Sequence, residues 1–237
     1  MTDHAFPEAW RRGLYETITR RRDMRAFLPD PIPDETLARI LMAAHQAGSV
    51  GLSQPWNFLV VENREIRAKV RAHVEVERLR AAETFDQERR EKYLSFKLEG
   101  ILDSPLNLCV TCDQERFGPT VIGRNTIPET AVYSTCCAIQ NLWLAARAEN
   151  IGVGWVSILK KEDLRAIFQI PPHIHILAYL CLGYVTHFPD KPDLERSGWG
   201  KRLSLEELIF FETWKGKPAN GRNDLSGFIQ NAEKEKS

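Results

Sequence analysis

The sequence has no long hydrophobic segment, no excess of either charge and few cysteines. The apolar run that begins at Ile176 is far too short to span a bilayer, and residues 1–7 have neither the charged lead nor the apolar stretch of a signal peptide. Lys+Arg and Asp+Glu are balanced at 32 each, so the positive field typical of a nucleic-acid-binding protein is missing. These absences predict a cytoplasmic protein that binds neither nucleic acid nor membrane.

The five cysteines, two of them adjacent at Cys136 and Cys137, are a poor basis for a disulfide framework. Cys109 and Cys112 have C-x-x-C spacing, but they lie in an apolar run typical of a strand, where residues three apart point to opposite faces. The sequence therefore predicts reduced thiols, no metal site and no thiol chemistry.

Alternating helical and extended patterns predict one α+β domain over residues 8–216, with helices around a mixed central sheet. Helices are expected from residue 8 to the arginines, from Asp34 to before Gly48, from 128 or 129 to 148, over 163–168 and over 205–210. Strands are expected at 57–61, 106–111, 154–159 and 176–183. The polar residues 217–237 predict a loose C-terminal tail.

Residues 64–99 differ in kind from the rest of the chain. Half of them are Asp, Glu, Lys or Arg, and none is Gly or Pro. This composition predicts a long exposed helical excursion that lies outside the core. We call it the lid segment, because one interpretation is that it covers a site; the other is a solvated helical hairpin that braces a dimer.

The run from Arg20 to Arg25 places four guanidinium groups and the single carboxylate of Asp23 within six residues. Arginine presents a planar fork of donors that suits phosphate oxygens, so the run is a candidate anchor for a small phosphorylated molecule. A carboxylate held among arginines could also move protons beside that molecule. The structural alternative is a solvated basic helix end with surface ion pairs.

Four segments, in this order, resemble the nitroreductase-like flavoprotein family. They are the run around Arg21 to Arg25, the loop 49–58, the Gly-rich segment 152–158 and the late basic segment 198–203. The resemblance covers residues 10 to about 210 and implies a nitroreductase-like fold whose first segment clamps the phosphate and ribityl chain of FMN. It implies FMN-binding residues at Arg21, Arg22, Asp23, Met24, Arg25, Ser49, Val50, Gln54, Leu98, Gly154, Trp155, Ser157 and Arg202.

Two departures from the family pattern narrow the resemblance. Asp23 stands where the family usually has Ser, and Ser157 follows Gly154 and Trp155. Together with segments 97–101, 109–113 and 140–147, they resemble the 5,6-dimethylbenzimidazole synthase (BluB) subfamily. That resemblance implies reduced FMN as substrate, O2 as co-substrate, and 5,6-dimethylbenzimidazole, the lower ligand of vitamin B12, as product with erythrose 4-phosphate.

The chemistry of that reaction leads to the hypothesis of two catalytic residues. Asp23 would accept or relay a proton near ribityl C1′ or flavin N5, and Ser157 would hold the ring or a peroxide by a hydrogen bond. Each has a structural alternative: Asp23 as the ion-pair partner of Arg22 or Arg25, and Ser157 as a polar residue at a strand end. Trp56, in the motif Gln54-Pro55-Trp56, is likewise typical of a buried core residue.

Two other functions stay open at this point. One is an NAD(P)H-dependent FMN nitro or quinone reductase, and the other is a non-catalytic flavin carrier. Asp23 and the lid segment argue against the reductase, because such an enzyme needs an open face for two bulky substrates. No G-x-G-x-x-G follows a predicted strand, so NAD(P)H is expected to act only through a separate flavin reductase.

The resemblance also implies a homodimer with the flavin at the subunit interface. Two surfaces are candidates for that interface: the apolar stripe of the helix between 132 and 146, and the aromatic segment 210–214. Burial of the stripe in the core is the default interpretation.

Overall fold

The computed structural model describes residues 4–217 and 223–234. Helices are α1 (Glu8–Arg20), α2 (Asp34–His45), α3 (Arg64–Ala82), α4 (Gln87–Ser95), α5 (Thr130–Ala148), α6 (Lys161–Phe168), α7 (Asp193–Arg196) and α8 (Asn223–Lys234). Strands are β1 (Trp56–Val61), β2 (Leu106–Asp113), β3 (Ile151–Val156) and β4 (Ile174–Tyr184). Single 3-10 turns lie at Val50–Leu52 and Leu205–Leu208.

The four strands form one sheet in the order β1-β2-β4-β3. All three ladders are antiparallel, so that Phe58 faces Val110, Leu108 faces Leu180 and Val153 faces Leu182. The α+β class is confirmed. The sheet differs from the expected mixed arrangement, because within the described residues the parallel pairing is a single bridge between Asp23 and Val153.

Helices cover both faces of the sheet. On one face α2 and α5 contribute Ile40, Ile139 and Leu142 to a core with Leu108 and Leu180. The other face carries a second core, in which Val70 and Val74 of α3 and Leu164 of α6 pack with Cys109 and Tyr179. Neighbouring residues of β2 serve the two cores in turn, because strand side chains alternate between faces. Both faces of β2 are therefore buried.

The prediction that the lid segment lies outside the core is wrong for α3. Val70 and Val74 are 0% and 1% exposed. They are four residues apart and therefore share one face of the helix. The high charge content of the segment hid this narrow apolar face from an interpretation based on composition. Helix α4, in contrast, is mostly exposed, with Tyr93 as its buried residue. The role of the segment as a lid stays a prediction.

Contact density divides the chain into two compact units, one ending at Asp190 and the other beginning at Lys191. In the second unit, Glu233 of α8 accepts hydrogen bonds from Ser204 Oγ at 3.0 Å and Leu205 N at 2.7 Å. The tail predicted over 217–237 thus contains a helix, while its residues 218–222 and 235–237 lie outside the described residues. The single-domain boundary at 8–216 stays a prediction.

All five cysteines lie in the described residues and carry free thiols. Cys109 and Cys112, the C-x-x-C pair, are both buried in β2, and burial raises the pKa of Cys109 to about 12. Within residues 4–217 and 223–234, no helix is both long enough and apolar enough to cross a bilayer.

Candidate functional site

The arginine run lies along the outer side of β3. Helix α1 ends at Arg20, and the backbone turns extended at Arg21, with φ −62° and ψ 135°. Met24 N then donates to Val153 O at 2.9 Å, and Leu28 N donates to Tyr184 O at 2.8 Å. We call residues 21–25 the arginine turn. Its backbone is tied to the Gly-rich strand, which is the first contact between two of the segments singled out in the sequence.

Glycine at two positions of β3 permits this close approach. A Cβ at Gly154 would lie 2.0 Å from Met24 O, and one at Gly152 would lie 3.1 Å from Met24 Cγ and 2.6 Å from Val185 Cγ1. No side chain fits at the first of these distances. The Gly-x-Gly spacing of β3 is therefore what lets the arginine turn pack directly on the strand.

The Asp23 carboxylate is bound through both oxygens. Oδ1 accepts from Trp155 N at 2.9 Å, and Oδ2 pairs with Arg25 Nη2. Arg25 Nη1 also donates to Asp23 O at 3.1 Å. Burial raises the pKa of Asp23 above its ordinary value, although Arg25 and the Trp155 N–H act in the opposite direction. The acid is thus held in one orientation and kept more basic than a surface carboxylate.

Side chains of helix α5 contact the arginine turn and the end of α1. Trp143 Nε1 donates to Arg22 O at 3.2 Å, and one helical turn later Arg147 Nε donates to Arg20 O at 3.3 Å. The Arg21 guanidinium lies 4.7 Å above the Trp143 ring. Stacking on an aromatic face leaves the edge of a guanidinium open to an anion. Arg21 is therefore well placed to meet a phosphate.

Arg22 points elsewhere. Its guanidinium donates to the backbone oxygens of Thr19, Arg21 and Asp190. These contacts hold the end of α1 against the chain at residue 190, so the geometry favours a structural role over the predicted phosphate contact.

A narrow cleft opens beside Asp23. It has about 140 Å³ of empty space. This space is too small to admit a flavin ring, which would have to lie outside it. The lining residues are Asp23, Met24, Arg25, Leu98, Glu99, Gly100, Gly154, Trp155, Val156 and Cys181. The structure thus brings together six of the predicted site residues, including Leu98 of the lid segment.

Ser157 and Arg202 stand apart from this lining. Ser157 is the exposed residue that directly follows β3, because the strand spans 151–156 instead of the predicted 154–159. Arg202 belongs to the second compact unit, where it is exposed. Their predicted contacts with the flavin stay predictions.

The loop that contains Ser49, Val50 and Gln54 is a separate, ordered turn. Ser49 Oγ accepts from Gln54 N at 3.0 Å, and Val50 N donates to Ser134 Oγ of α5 at 3.0 Å. Gln54 has a φ of +44°, an uncommon value for a residue with a side chain. Nine residues of α5 separate Ser134 from Trp143, which is about 14 Å along the helix axis. The loop and the arginine turn therefore meet different ends of α5.

Trp56 is a buried residue, as its hydrophobic character predicted. It is 4% exposed, and its Nε1 donates to His45 Nδ1 at 3.2 Å.

Sequence reasoning missed the supporting residues of the site. Trp143 was assigned only to an apolar helical stripe, and Arg147 to no role. Their spacing of four residues on one helix is the signal that could have paired them. Cys181, which is fully buried beneath the cleft and whose pKa is raised to about 12 by burial, carries no such signal.

The donor set fits the phosphate end of FMN. Arg21 and Arg25 belong to the arginine turn, and Arg147 lies beside it through its bond to Arg20 O, while Asp23 is the one carboxylate within the turn. Burial lowers the pKa of Arg147, and the charge of Arg20 lowers it further. The site therefore carries excess positive charge that an anion would neutralise.

Comparisons with known proteins agree with this geometry. The nitroreductase family model matches residues 18–184. The chain is 40% identical over 201 residues to a 5,6-dimethylbenzimidazole synthase of Rhodospirillum rubrum, which covers 85% of this chain and 95% of that protein. It is 37% identical over 201 residues to a 5,6-dimethylbenzimidazole synthase of Rhodobacter capsulatus, with 85% and 97% covered.

Among solved structures, an oxidised iodotyrosine deiodinase bound to FMN and 3-iodo-L-tyrosine superposes with a TM-score of 0.65. The match is 20% identical and covers 85% of this chain and 100% of that chain. At this level of identity, the likeness shows a shared fold.

Proposed function

This chain belongs to the nitroreductase family, and we propose that within it the protein is a 5,6-dimethylbenzimidazole synthase. In this reaction reduced FMN is the substrate and O2 the oxidant. The products are 5,6-dimethylbenzimidazole, the lower ligand of vitamin B12, and erythrose 4-phosphate. The identity to two synthases over nearly their whole length supports the assignment.

The observation that carries the proposal is the placement of Asp23. An acid occupies the position where the family usually has Ser, and it is fixed by Trp155 N–H and Arg25 at the mouth of the cleft. A reductase that only transfers hydride through FMN has no need of a carboxylate there. Breaking carbon–carbon and carbon–nitrogen bonds requires protons to be moved, and a desolvated carboxylate is suited to that task.

Bound reduced FMN supplies the carbon skeleton that is fragmented and electrons for O2. Arg21 and Arg25 would neutralise its phosphate, and the backbone around Met24 and Gly154 would orient the ring. Ser49, Val50 and Gln54 contribute the second wall of the flavin site, and Leu98 packs on the ring.

Asp23 accepts or relays a proton at ribityl C1′ or at ring N5. The hydrogen bond from Trp155 N to Oδ1 and the ion pair of Oδ2 with Arg25 fix the plane of the carboxylate. The lone pair that would accept the proton is therefore already oriented. Ser157 holds the ring by a hydrogen bond from its hydroxyl.

The test is an aerobic reaction of the purified protein with FMN, a separate flavin reductase and NADH. We expect the flavin to disappear with stoichiometric formation of 5,6-dimethylbenzimidazole, measured by mass spectrometry. Oxidation of NAD(P)H by the protein alone, with the flavin intact, would make it a nitro or quinone reductase. Tight FMN binding with neither reaction would make it a flavin carrier.

We further propose that the protein works as a homodimer. Ser134, which contacts the loop of Ser49 and Val50, and Trp143, which contacts the arginine turn, lie about 14 Å apart along α5, so the same loop from a second copy can complete the site that the arginine turn begins. Helix α1 has no buried residue, and Trp10, Leu14 and Ile18 expose an apolar face that a second copy could cover.

A cytoplasmic location belongs to the same proposal. Five free thiols suit a reducing compartment, which is also where a flavin reductase can supply reduced FMN. Fractionation of cells that express the protein would test it.

A further inference from the structure

A row of arginines on α3 holds the chain that returns from the lid segment to the sheet. Positions 64, 67, 71 and 78 lie along one side of the helix. Their partners lie in residues 94–104, which we call the return segment. The contacts are Arg64 to Leu102 O, Arg67 to Ile101 O and Ser104 O, Arg71 to Glu99, and Arg78 to Leu94 O.

The return segment also forms one wall of the cleft beside Asp23. Leu98, Glu99 and Gly100 line that cleft. A Cβ at Gly100 would lie 2.8 Å from Arg25 O and 2.4 Å from the Phe27 ring, so the wall packs on the arginine turn without space for a side chain. The wall is therefore held by hydrogen bonds from α3 on one side and packs against the arginine turn on the other.

Glu99 joins these two contacts. Its Oε1 accepts from Arg71 Nε at 3.1 Å, and its Oε2 accepts from Ile101 N at 2.6 Å. The Glu99 side chain is 20% exposed and that of Arg71 is 52% exposed. The other contacts of the row end on backbone oxygens, whereas this one fixes a side chain that lines the cleft.

We propose that Arg71 and Glu99 are a positioning pair that keeps the cleft wall closed beside the flavin and so excludes water during the reaction. This inference rests on the proposed function. When water reaches the reacting flavin, reduced FMN is oxidised to FMN, and O2 takes up the two electrons and two protons as hydrogen peroxide. The pair therefore sets how much of the consumed O2 ends in 5,6-dimethylbenzimidazole.

The variants Arg71→Gln and Glu99→Gln remove the charge pair with little change of side-chain size. In Glu99→Gln the amide oxygen can still accept from Ile101 N. Arg71→Lys keeps the positive charge. The matched control is Arg80→Gln on the same helix, because Arg80 is 56% exposed and pairs with Glu77 at 2.8 Å, outside the return segment.

The first measurement is the ratio of hydrogen peroxide to 5,6-dimethylbenzimidazole in the aerobic reaction. We expect this ratio to rise roughly threefold or more in Arg71→Gln and Glu99→Gln, because the wall then opens more often. It should stay near the wild-type value in Arg80→Gln and lie in between in Arg71→Lys. An unchanged ratio in both Gln variants would overturn the inference.

The second measurement uses the FMN-free protein and is independent of the reaction. Amide hydrogen exchange in the peptide that spans 94–104 should be roughly threefold faster or more in both Gln variants, and unchanged in Arg80→Gln. Unchanged exchange would also overturn the inference. If the wild-type protein made no 5,6-dimethylbenzimidazole, the proposed function would fail, whereas faster exchange would still establish that the pair holds the wall.

Discussion

At position 23, two opposing effects act on one carboxylate. Arg25 and the Trp155 N–H favour its charged form, while burial favours the neutral form and prevails in raising the pKa. The result is an acid that is both oriented and ready to take up a proton. A surface ion pair, the alternative suggested by the sequence, would lack the bond to the backbone of β3.

Replacing this acid should separate chemistry from binding. In Asp23→Asn the amide oxygen still accepts from Trp155 N, so the arginine turn keeps its place on β3. The proton acceptor is lost, and we expect formation of 5,6-dimethylbenzimidazole to fall about 100-fold or more. Fluorescence quenching should show that oxidised FMN still binds. Parental product formation in the variant would exclude Asp23 as the base.

The same substitution makes the pKa shift measurable as stability. The folded protein holds the Asp23 proton more tightly than the unfolded chain, so ionisation costs stability as the pH rises from the unfolded to the folded pKa. Asp23→Asn does not ionise. We therefore expect its free energy of unfolding, relative to wild type, to increase as the pH rises from about 4 and to level off above the folded pKa.

Chemical denaturation of both proteins across a pH series measures this difference. A relative stability that stayed flat, or that moved in favour of wild type as the pH rose, would contradict the raised pKa.

At the scale of elements, the contact between the arginine turn and β3 depends on missing side chains. Gly154→Ala places a methyl group 2.0 Å from Met24 O, and a backbone oxygen that is itself held on β3 cannot easily move. We expect a loss of about 2 kcal/mol of stability and weaker FMN binding. Chemical denaturation and fluorescence quenching measure the two effects.

Gly13→Ala is the control for that substitution. Gly13 lies within α1 with open space at its Cβ position, so alanine should raise stability by about 0.5–1 kcal/mol through its better helix propensity. Equal stability of the two alanine variants would show that Gly154 is not needed for close packing.

The sequence predicted elements well where the local pattern carries the information. Helix α1 spans Glu8–Arg20, as expected from its start at residue 8 and its end at the arginines. Strand β3 was placed three residues too late, because Gly152 and Gly154 give a weak strand pattern. Their role depends on Met24, which is remote in sequence. Val70 and Val74 were missed for a similar reason, since only the folded chain shows which core they enter.

The candidate site, too, could be predicted from the sequence only in part. The acid, the arginines and the Gly-rich strand could be predicted from residue types and order, and six predicted residues line one cleft. The spacing of Trp143 and Arg147 could have paired them on one face of α5, but their acceptors could not be predicted, because these are backbone oxygens of α1 and the arginine turn. Backbone acceptors leave no trace in a sequence.

At the scale of the whole molecule, the proposed homodimer predicts a specific weakness at α1. Leu14 is 54% exposed on a helix with no buried residue. Leu14→Asp places a charge in the proposed apolar interface, and we expect light scattering to shift from dimer toward monomer at micromolar concentration. FMN binding should weaken in parallel if a second copy completes the site.

Val76→Asp is the control, because Val76 on α3 is 53% exposed and the substitution introduces the same charge. It should remain dimeric. A wild-type protein that is already monomeric would contradict the shared site, and a Leu14→Asp protein that stays dimeric would place the interface on another surface.

Cys181 has a consequence for the working lifetime of the molecule. An enzyme that consumes O2 risks damage from its own by-products, and a thiolate beside the reacting centre would be the first group to be oxidised. Burial raises the pKa of Cys181 to about 12, so at neutral pH it remains a thiol, the form that reacts slowly with peroxides. Under the proposed function, Cys181 would therefore be protected from oxidation by hydrogen peroxide formed beside it.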